Sequence, residues 1–227
     1  MALAFLPVLL VLAIYVHWQL EYKKACYALL RMLLQLLTVG YFLAYLFETE
    51  ISWVVLAVLL VMIILSSWIA LNTVVEKRRQ LFTLALLAIG LGGGVTLLVI
   101  SQMVLNIDPW FLPQYLIPLG GMVFANAMTS ISLCAERFFS ELERCDDFEK
   151  ARAVAFNASL IPVVNSLFAV GLVSLPGMMT GQILSGVSPL IAARYQIMVM
   201  CMIFAASGLS SAIFLYLLRK YCASNRS

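Results

Sequence analysis

Charge is what this chain has least of: Asp, Glu, Lys and Arg together make up 11% of its 227 residues, and histidine occurs once. A soluble domain carries about 25% charged residues, and a water-facing surface of ordinary size cannot be assembled from so few. With 64% hydrophobic residues and a mean hydropathy of +1.04, lipid must be the solvent for most of the chain. The five cysteines, Cys26, Cys134, Cys145, Cys201 and Cys222, form no CxxC pair. Odd in number and scattered, they read as small apolar filler rather than disulfides or zinc ligands. His17, beside Trp18 at the end of the first apolar run, reads as an interfacial residue. No Gly-x-x-x-x-Gly-Lys-Ser/Thr stretch occurs, so the chain cannot cradle ATP by that route. No acids pair inside the apolar runs, and no Ser-His or Cys-His combination has a free histidine to serve it, which leaves enzyme chemistry or proton pumping little to work with. The chain reads as a non-enzyme with no catalytic residues.

What is present in abundance is long apolar runs. A span needs about 20 apolar residues to cross the hydrocarbon layer, and only a backbone that satisfies its own hydrogen bonds survives there. Seven runs qualify, at approximately 2–19, 26–47, 51–75, 81–105, 112–135, 160–184 and 191–218. The expected fold is all-α: a polytopic membrane protein forming a single transmembrane domain over 1–227. The first run has a core, Leu3 to Val16, as short as that of a signal peptide. No Lys or Arg precedes it and no small-residue cleavage pattern follows, so a retained span is expected. Gly90 and Gly92-Gly93-Gly94 in the fourth run predict a close packing face.

Every Lys and Arg except Arg194 falls in alternate loops: Lys23, Lys24 and Arg31; Lys77, Arg78 and Arg79; Arg137, Arg144, Lys150 and Arg152; Arg219, Lys220 and Arg226. The opposite loops carry Glu48, Glu50 and Asp108. By the rule that basic loops stay inside, the N-terminus is outside and the C-terminus cytoplasmic.

The one sizeable polar segment, Glu136 to Asn157, is cytoplasmic by this count. Phe138, Leu142, Cys145 and Phe148 recur at helical spacing, predicting a short amphipathic helix at the membrane surface. It lies against headgroups or docks an apolar ridge into a cytoplasmic protein; periodicity alone leaves both open. The sixth run holds Pro176-Gly177, where a helix should break or kink. Transporters place substrate sites at such breaks, and a kink that only shapes packing is the alternative. Met178 and Met179 are soft donors suited to Cu(I), whereas Met122, Met128, Met198, Met200 and Met202 lie where packing is explanation enough. No residue set is assigned to a metal.

The stretch Val170 to Ile183, continuing through Pro189 and Arg194-Tyr195-Gln196-Ile197, resembles the permease subunits of Fet-type ABC transporters, a family that includes bacterial iron exporters and plant aluminium-tolerance permeases. Arg31, Gln35-Leu36, Val39-Gly40-Tyr41, Ile117-Pro118, Gly121-Met122, Asn126-Ala127-Met128, Ile161-Pro162 and Asn165-Ser166 extend the resemblance over nearly the whole chain. Two departures stand out: Ala125 sits where the family has a glycine, and Phe148-Glu149-Lys150-Ala151-Arg152-Ala153 reaches Ile161-Pro162 without the glycine stretch that relatives carry.

The resemblance implies a multi-pass permease of the inner (plasma) membrane that exports iron or another metal ion and supports oxidative-stress resistance. A separate cytoplasmic ABC ATPase would bind ATP and Mg, this chain binding no cofactor itself, and the permease would act as a homodimer embedded in lipid. Nucleic acid is not among the expected partners. Other expectations are an ABC permease for another substrate such as a nucleotide sugar, or a gradient-driven carrier acting alone. The expected transport path is Asn126, Asn165, Ser174, Pro176, Gly177, Met178, Met179, Thr180, Gln182, Tyr195 and Gln196, with coupling to the partner at Phe138, Leu142, Cys145 and Phe148.

Overall fold

The structure, a computed structural model, describes residues 5–19, 22–47, 51–145 and 147–225. It divides into two compact units, residues 1–50 and 51–227. The first holds α1 (Phe5–His17) and α2 (Tyr22–Phe47). The second holds α3 (Ser52–Ala70), α4 (Arg78–Leu98), α5 (Pro113–Cys145), α6 (Phe148–Ala169), α7 (Gly177–Leu184) and α8 (Pro189–Asn225). Among the described residues every regular element is helical.

Among the described residues, six helices are long and apolar enough to cross a membrane, at Ala25–Phe42, Ser52–Thr73, Val75–Val104, Pro113–Arg144, Phe148–Ala169 and Pro189–Tyr221. The sequence predicts seven; the difference is α1. Its 13 helical residues span about 20 Å, against about 30 Å of hydrocarbon. The other extremes are α5, with 33 residues, and α8, with 37. At about 50 Å and 55 Å they outreach the bilayer and project beyond it.

That length corrects the reading of the polar segment. Glu136–Asn157 is not a separate surface helix: its first half completes α5 and its second half begins α6, so the two form a hairpin. Asp147 turns the chain, its carboxylate accepting the N–H groups of Glu149 and Lys150 at 3.0 and 3.3 Å, which satisfies two donors that a helix start leaves free. Phe138 is fully buried, its ring edge-on to Phe139 and Phe148 with centroids 5.4 and 5.2 Å apart. The apolar ridge exists, but the hairpin consumes part of it to hold its own arms together.

The sixth run is corrected too. The membrane-length helix here begins at Phe148, not near residue 160, and ends at Ala169, well short of 184. The Asp147 cap and the continuous packing of Ala151, Ala155, Ser159 and Val163, all buried on one face, start it early.

Within the second unit, α4 and α8 meet at Gly92, where an added Cβ would lie 2.6 Å from Ser210 Oγ and 2.7 Å from the Ser210 backbone nitrogen. Gly93 is pressed by Val123 and Phe124, while Gly94 meets nothing within 4 Å. Gly90 has only Ile63 nearby, at 3.9 Å, so two of the four glycines of the expected packing face are closely packed. The basic ends of this unit converge. The Lys77 ammonium lies 3.9 Å over the Phe139 ring, Arg219 reaches Glu149 at 3.6 Å, and Tyr221 donates to Gln80 Oε1 at 2.8 Å. Arg78 stacks on Trp68 at 3.7 Å and donates to its carbonyl at 2.6 Å. The α3–α4 turn, the α5–α6 hairpin and the end of α8 therefore sit at one pole; Arg226, Glu48 and Glu50 lie outside the described residues.

Candidate functional site

The site is built around a helix that stops early. Residues 170–176 leave the helix, so the break begins at Val170, well ahead of where Pro176-Gly177 alone would place it. Gly171 adopts φ +82, a conformation that glycine reaches without a steric penalty. It lets the Ala169 carbonyl collect the N–H groups of Leu172, Val173 and Ser174 at 3.2, 2.8 and 3.1 Å, while Gly171 N–H donates to the Ser174 carbonyl at 2.9 Å. The break therefore satisfies the N–H groups of residues 170–174 from within, which is what hydrocarbon demands of a backbone. Pro176 then leads into α7, since its fixed φ and missing donor suit a helix start. At the far end Gly186, φ +91, donates to the Ile183 carbonyl and Val187 to the Gln182 carbonyl, both at 3.0 Å, the glycine-terminated cap of a Schellman motif.

Under this break lies a cavity of about 430 Å³. From α5 it takes Met122, Asn126, Thr129 and Ser130; from α6, Pro162, Val163 and Ser166. The break supplies Val170, Ser174 and Pro176, α7 supplies Met178, and α8 supplies Gln196, Val199, Met200 and Ile203. Asn126 stands about 20 Å along α5 from its first residue and about 16 Å short of Arg137, which places the cavity at mid-depth. A second cavity, of about 550 Å³, is bordered mainly by leucines such as Leu56, Leu59, Leu60 and Leu97 and has the character of a lipid-tail recess.

Three of the polar groups of the first cavity turn a donor back onto their own helices. Asn126 Nδ2 donates to the Met122 carbonyl at 2.8 Å, Thr129 Oγ1 to Ala125 at 3.0 Å and Ser166 Oγ to Pro162 at 2.9 Å. These bonds leave the amide oxygen of Asn126 and the hydroxyl lone pairs as the groups on offer. Gln196 is only 6% exposed, and its Oε1 is buried with no hydrogen-bond partner. No charged or titratable side chain is among the lining residues. The chemistry available is neutral: carbonyl and hydroxyl oxygens, and thioethers.

Of the residues expected along the path, Asn126, Ser174, Pro176, Met178 and Gln196 come together here. Asn165 is exposed on another face of α6, and Gly177, Met179, Thr180, Gln182 and Tyr195 do not line the cavity. Thr180 instead donates to the Pro176 carbonyl at 3.1 Å, and the buried Gln182 Oε1 has no partner. Sequence reasoning missed Met122, Thr129, Ser130, Ser166 and Met200 as lining residues. The signal was a helical stride: Met122, Asn126 and Thr129, and again Gln196, Met200 and Ile203, each recur at steps of four and three. Of the coupling set, Phe138 is buried, Leu142 and Phe148 are half-buried, and the side chain of Cys145 lies outside the described residues. Among the described residues no group of three or more His, Cys, Asp or Glu could hold a metal ion.

Membrane-length helices arranged about a mid-depth cavity at a helix break define a multi-pass membrane protein. The chain belongs to the family described as "Uncharacterised protein family (UPF0014)", whose pattern matches residues 1–222. It is 38% identical over 196 residues to a UPF0014 membrane protein of Synechocystis, covering 80% of this chain and 76% of the relative. It is 34% identical over 214 residues to the probable iron export permease protein FetB of Escherichia coli, covering 86% and 80%. To the protein ALUMINUM SENSITIVE 3 of Arabidopsis thaliana it is 34% identical over 209 residues, covering 84% and 74%. These relatives agree with the family that the sequence resembles. No solved structure matches the chain significantly.

Proposed function

We propose that this chain is the permease subunit of an ABC transporter of the plasma membrane, exporting a metal ion with ATP hydrolysed by a separate cytoplasmic subunit. In this reading the basic pole of the second unit faces the cytoplasm, the N-terminus lies outside, and two copies of the permease work with two of the ATPase. The supporting observation is the charge-free cavity at the α6–α7 break, with two amides and four hydroxyls in its wall, walled by α5 and α6, the same helices that form the hairpin at the basic pole. The name of the Escherichia coli relative, a probable iron export permease, supports the same class. A nucleotide sugar fits less well, because no basic side chain lines the cavity to meet a diphosphate. A proton-driven carrier lacks a titratable group there.

Co-purification with the tagged full-length chain tests the reading, followed by ATP-dependent metal uptake into everted vesicles. The expected result is an ABC ATPase whose hydrolysis rises on reconstitution, with Gln196→Leu abolishing uptake in a protein that still inserts. If no ATPase is recovered, and hydrolysis by a candidate partner is unchanged by the permease, the reading fails.

A further inference from the structure

We propose that the cavity binds a soft, monovalent cation of the Cu(I) class through the thioethers of Met122, Met178 and Met200 and the amide oxygens of Asn126 and Gln196. This deepens the permease reading and, as an assignment of cargo, rests on it.

The three methionines come from three separate elements, α5, α7 and α8, and meet on one cavity. Methionines that merely fill gaps are surrounded by apolar neighbours; these share their wall with two amides and four hydroxyls. Charge decides the class of guest. A hard divalent cation sheds its water only for anionic or numerous oxygen ligands, and this wall has no carboxylate, thiol or imidazole. A monovalent ion loses far less hydration on entering a neutral site, because the cost grows steeply with charge. Softness decides next: thioethers select Cu(I) among biological cations, whereas carbonyl and carboxylate sets select Mg, Ca and Mn.

Polarity points the same way. One amide hydrogen of Asn126 and the hydroxyl hydrogens of Thr129 and Ser166 are spent on their own helices, which leaves their oxygens free to meet a cation. The buried Gln196 Oε1, which no protein donor reaches, is an acceptor left waiting; an unmet buried acceptor is costly, and a bound cation would relieve it.

The test is titration of the full-length chain in lipid nanodiscs, its thiols first blocked with N-ethylmaleimide, using Ag(I) as the redox-stable probe. Cu(I) follows under ascorbate, with bicinchoninate as competitor. One Ag(I) per chain is expected. Met122→Leu, Met178→Leu and Met200→Leu should each weaken it by about tenfold. Met103→Leu, at an exposed methionine away from the cavity, should leave it unchanged, and equal Fe(II) or Zn(II) should not displace it. Leucine keeps the volume of methionine, so the single variants keep the fold. X-ray absorption of the Cu(I) complex provides a readout independent of the variants, with sulfur neighbours expected. Three results would overturn the proposal: equal affinity in wild type and the three single variants, displacement by Fe(II), or a copper shell of nitrogen and oxygen alone. Loss of this site with the ATPase still co-purifying leaves the permease reading standing. Methionine-dependent binding with no ATPase partner sinks that reading and keeps the site.

Discussion

At Gly92 a methyl group has nowhere to go, since the obstacle is partly the backbone of α8 and not a side chain that can swing aside. Gly92→Ala should therefore separate α4 from α8 and destabilise the protein by about 1–3 kcal/mol, read as an earlier unfolding midpoint in detergent. Gly94→Ala, with open space around it, should stay within about 1 kcal/mol of wild type. A second residue-scale prediction follows from the cavity wall. With no titratable side chain lining it, Ag(I) affinity should stay flat between about pH 6 and 8, where a site built on histidine or thiolate would show a slope. Gln196 and Tyr195 show what single residues do and do not reveal. Both are polar groups in an apolar run, yet neighbours on a helix point about 100° apart, and Tyr195 is 38% exposed while Gln196 is 6%. The sequence names both, and only packing against α5 and α6 chooses between them. Met122 and Met200 were hidden for the converse reason, because methionine in a hydrophobic run looks the same whether it fills a gap or faces a cavity.

The helix break is the element on which the site depends, and its existence is legible in Pro176-Gly177. Its length is not. Proline announces that a helix cannot pass through, but the helix ends earlier because Gly171 lets the chain turn and recover its hydrogen bonds at Ala169. Gly171→Ala should cost about 1 kcal/mol through the strained φ, measurable as a lower melting temperature. The α5–α6 hairpin escaped the sequence reading differently. Its charges, Glu141, Arg144, Glu149 and Arg152, argue for a segment outside the bilayer, and they are outside it in this arrangement, but as projecting ends of long helices paired along their own surfaces. Arg137 and Arg144 both reach Glu141, at 2.8 and 3.8 Å. Phe138→Ala should loosen the hairpin tip by about 3 kcal/mol, appearing as faster proteolysis between residues 142 and 150, while Arg144→Ala, which removes an exposed guanidinium 3.8 Å from a carboxylate that Arg137 still holds, should change stability by less than about 1 kcal/mol.

At the scale of the whole molecule, hydropathy foretold an all-helical membrane protein; within the second unit, charge placement foretold which helix ends share a pole. The count of spans depended on α1, whose 13 described helical residues fall short of the roughly 20 that a crossing needs. Orientation is testable by thiol labelling in a cysteine-free background. Glu143→Cys at the hairpin should react only after the membrane is permeabilised, and Asp108→Cys, at the opposite pole, should react in intact cells.

One last property comes from the way α5 and α6 are continuous from hairpin to cavity. Between Phe148 and Ile161 the backbone of α6 is unbroken helix, and its first missing amide donor is at Pro162, itself part of the cavity wall. In the proposed transporter the pair would act as a stiff crank with its compliant joint beside the cavity. Displacement of the tip by a few ångströms would not dissipate along the shaft; it would arrive at the chamber as a change in its width.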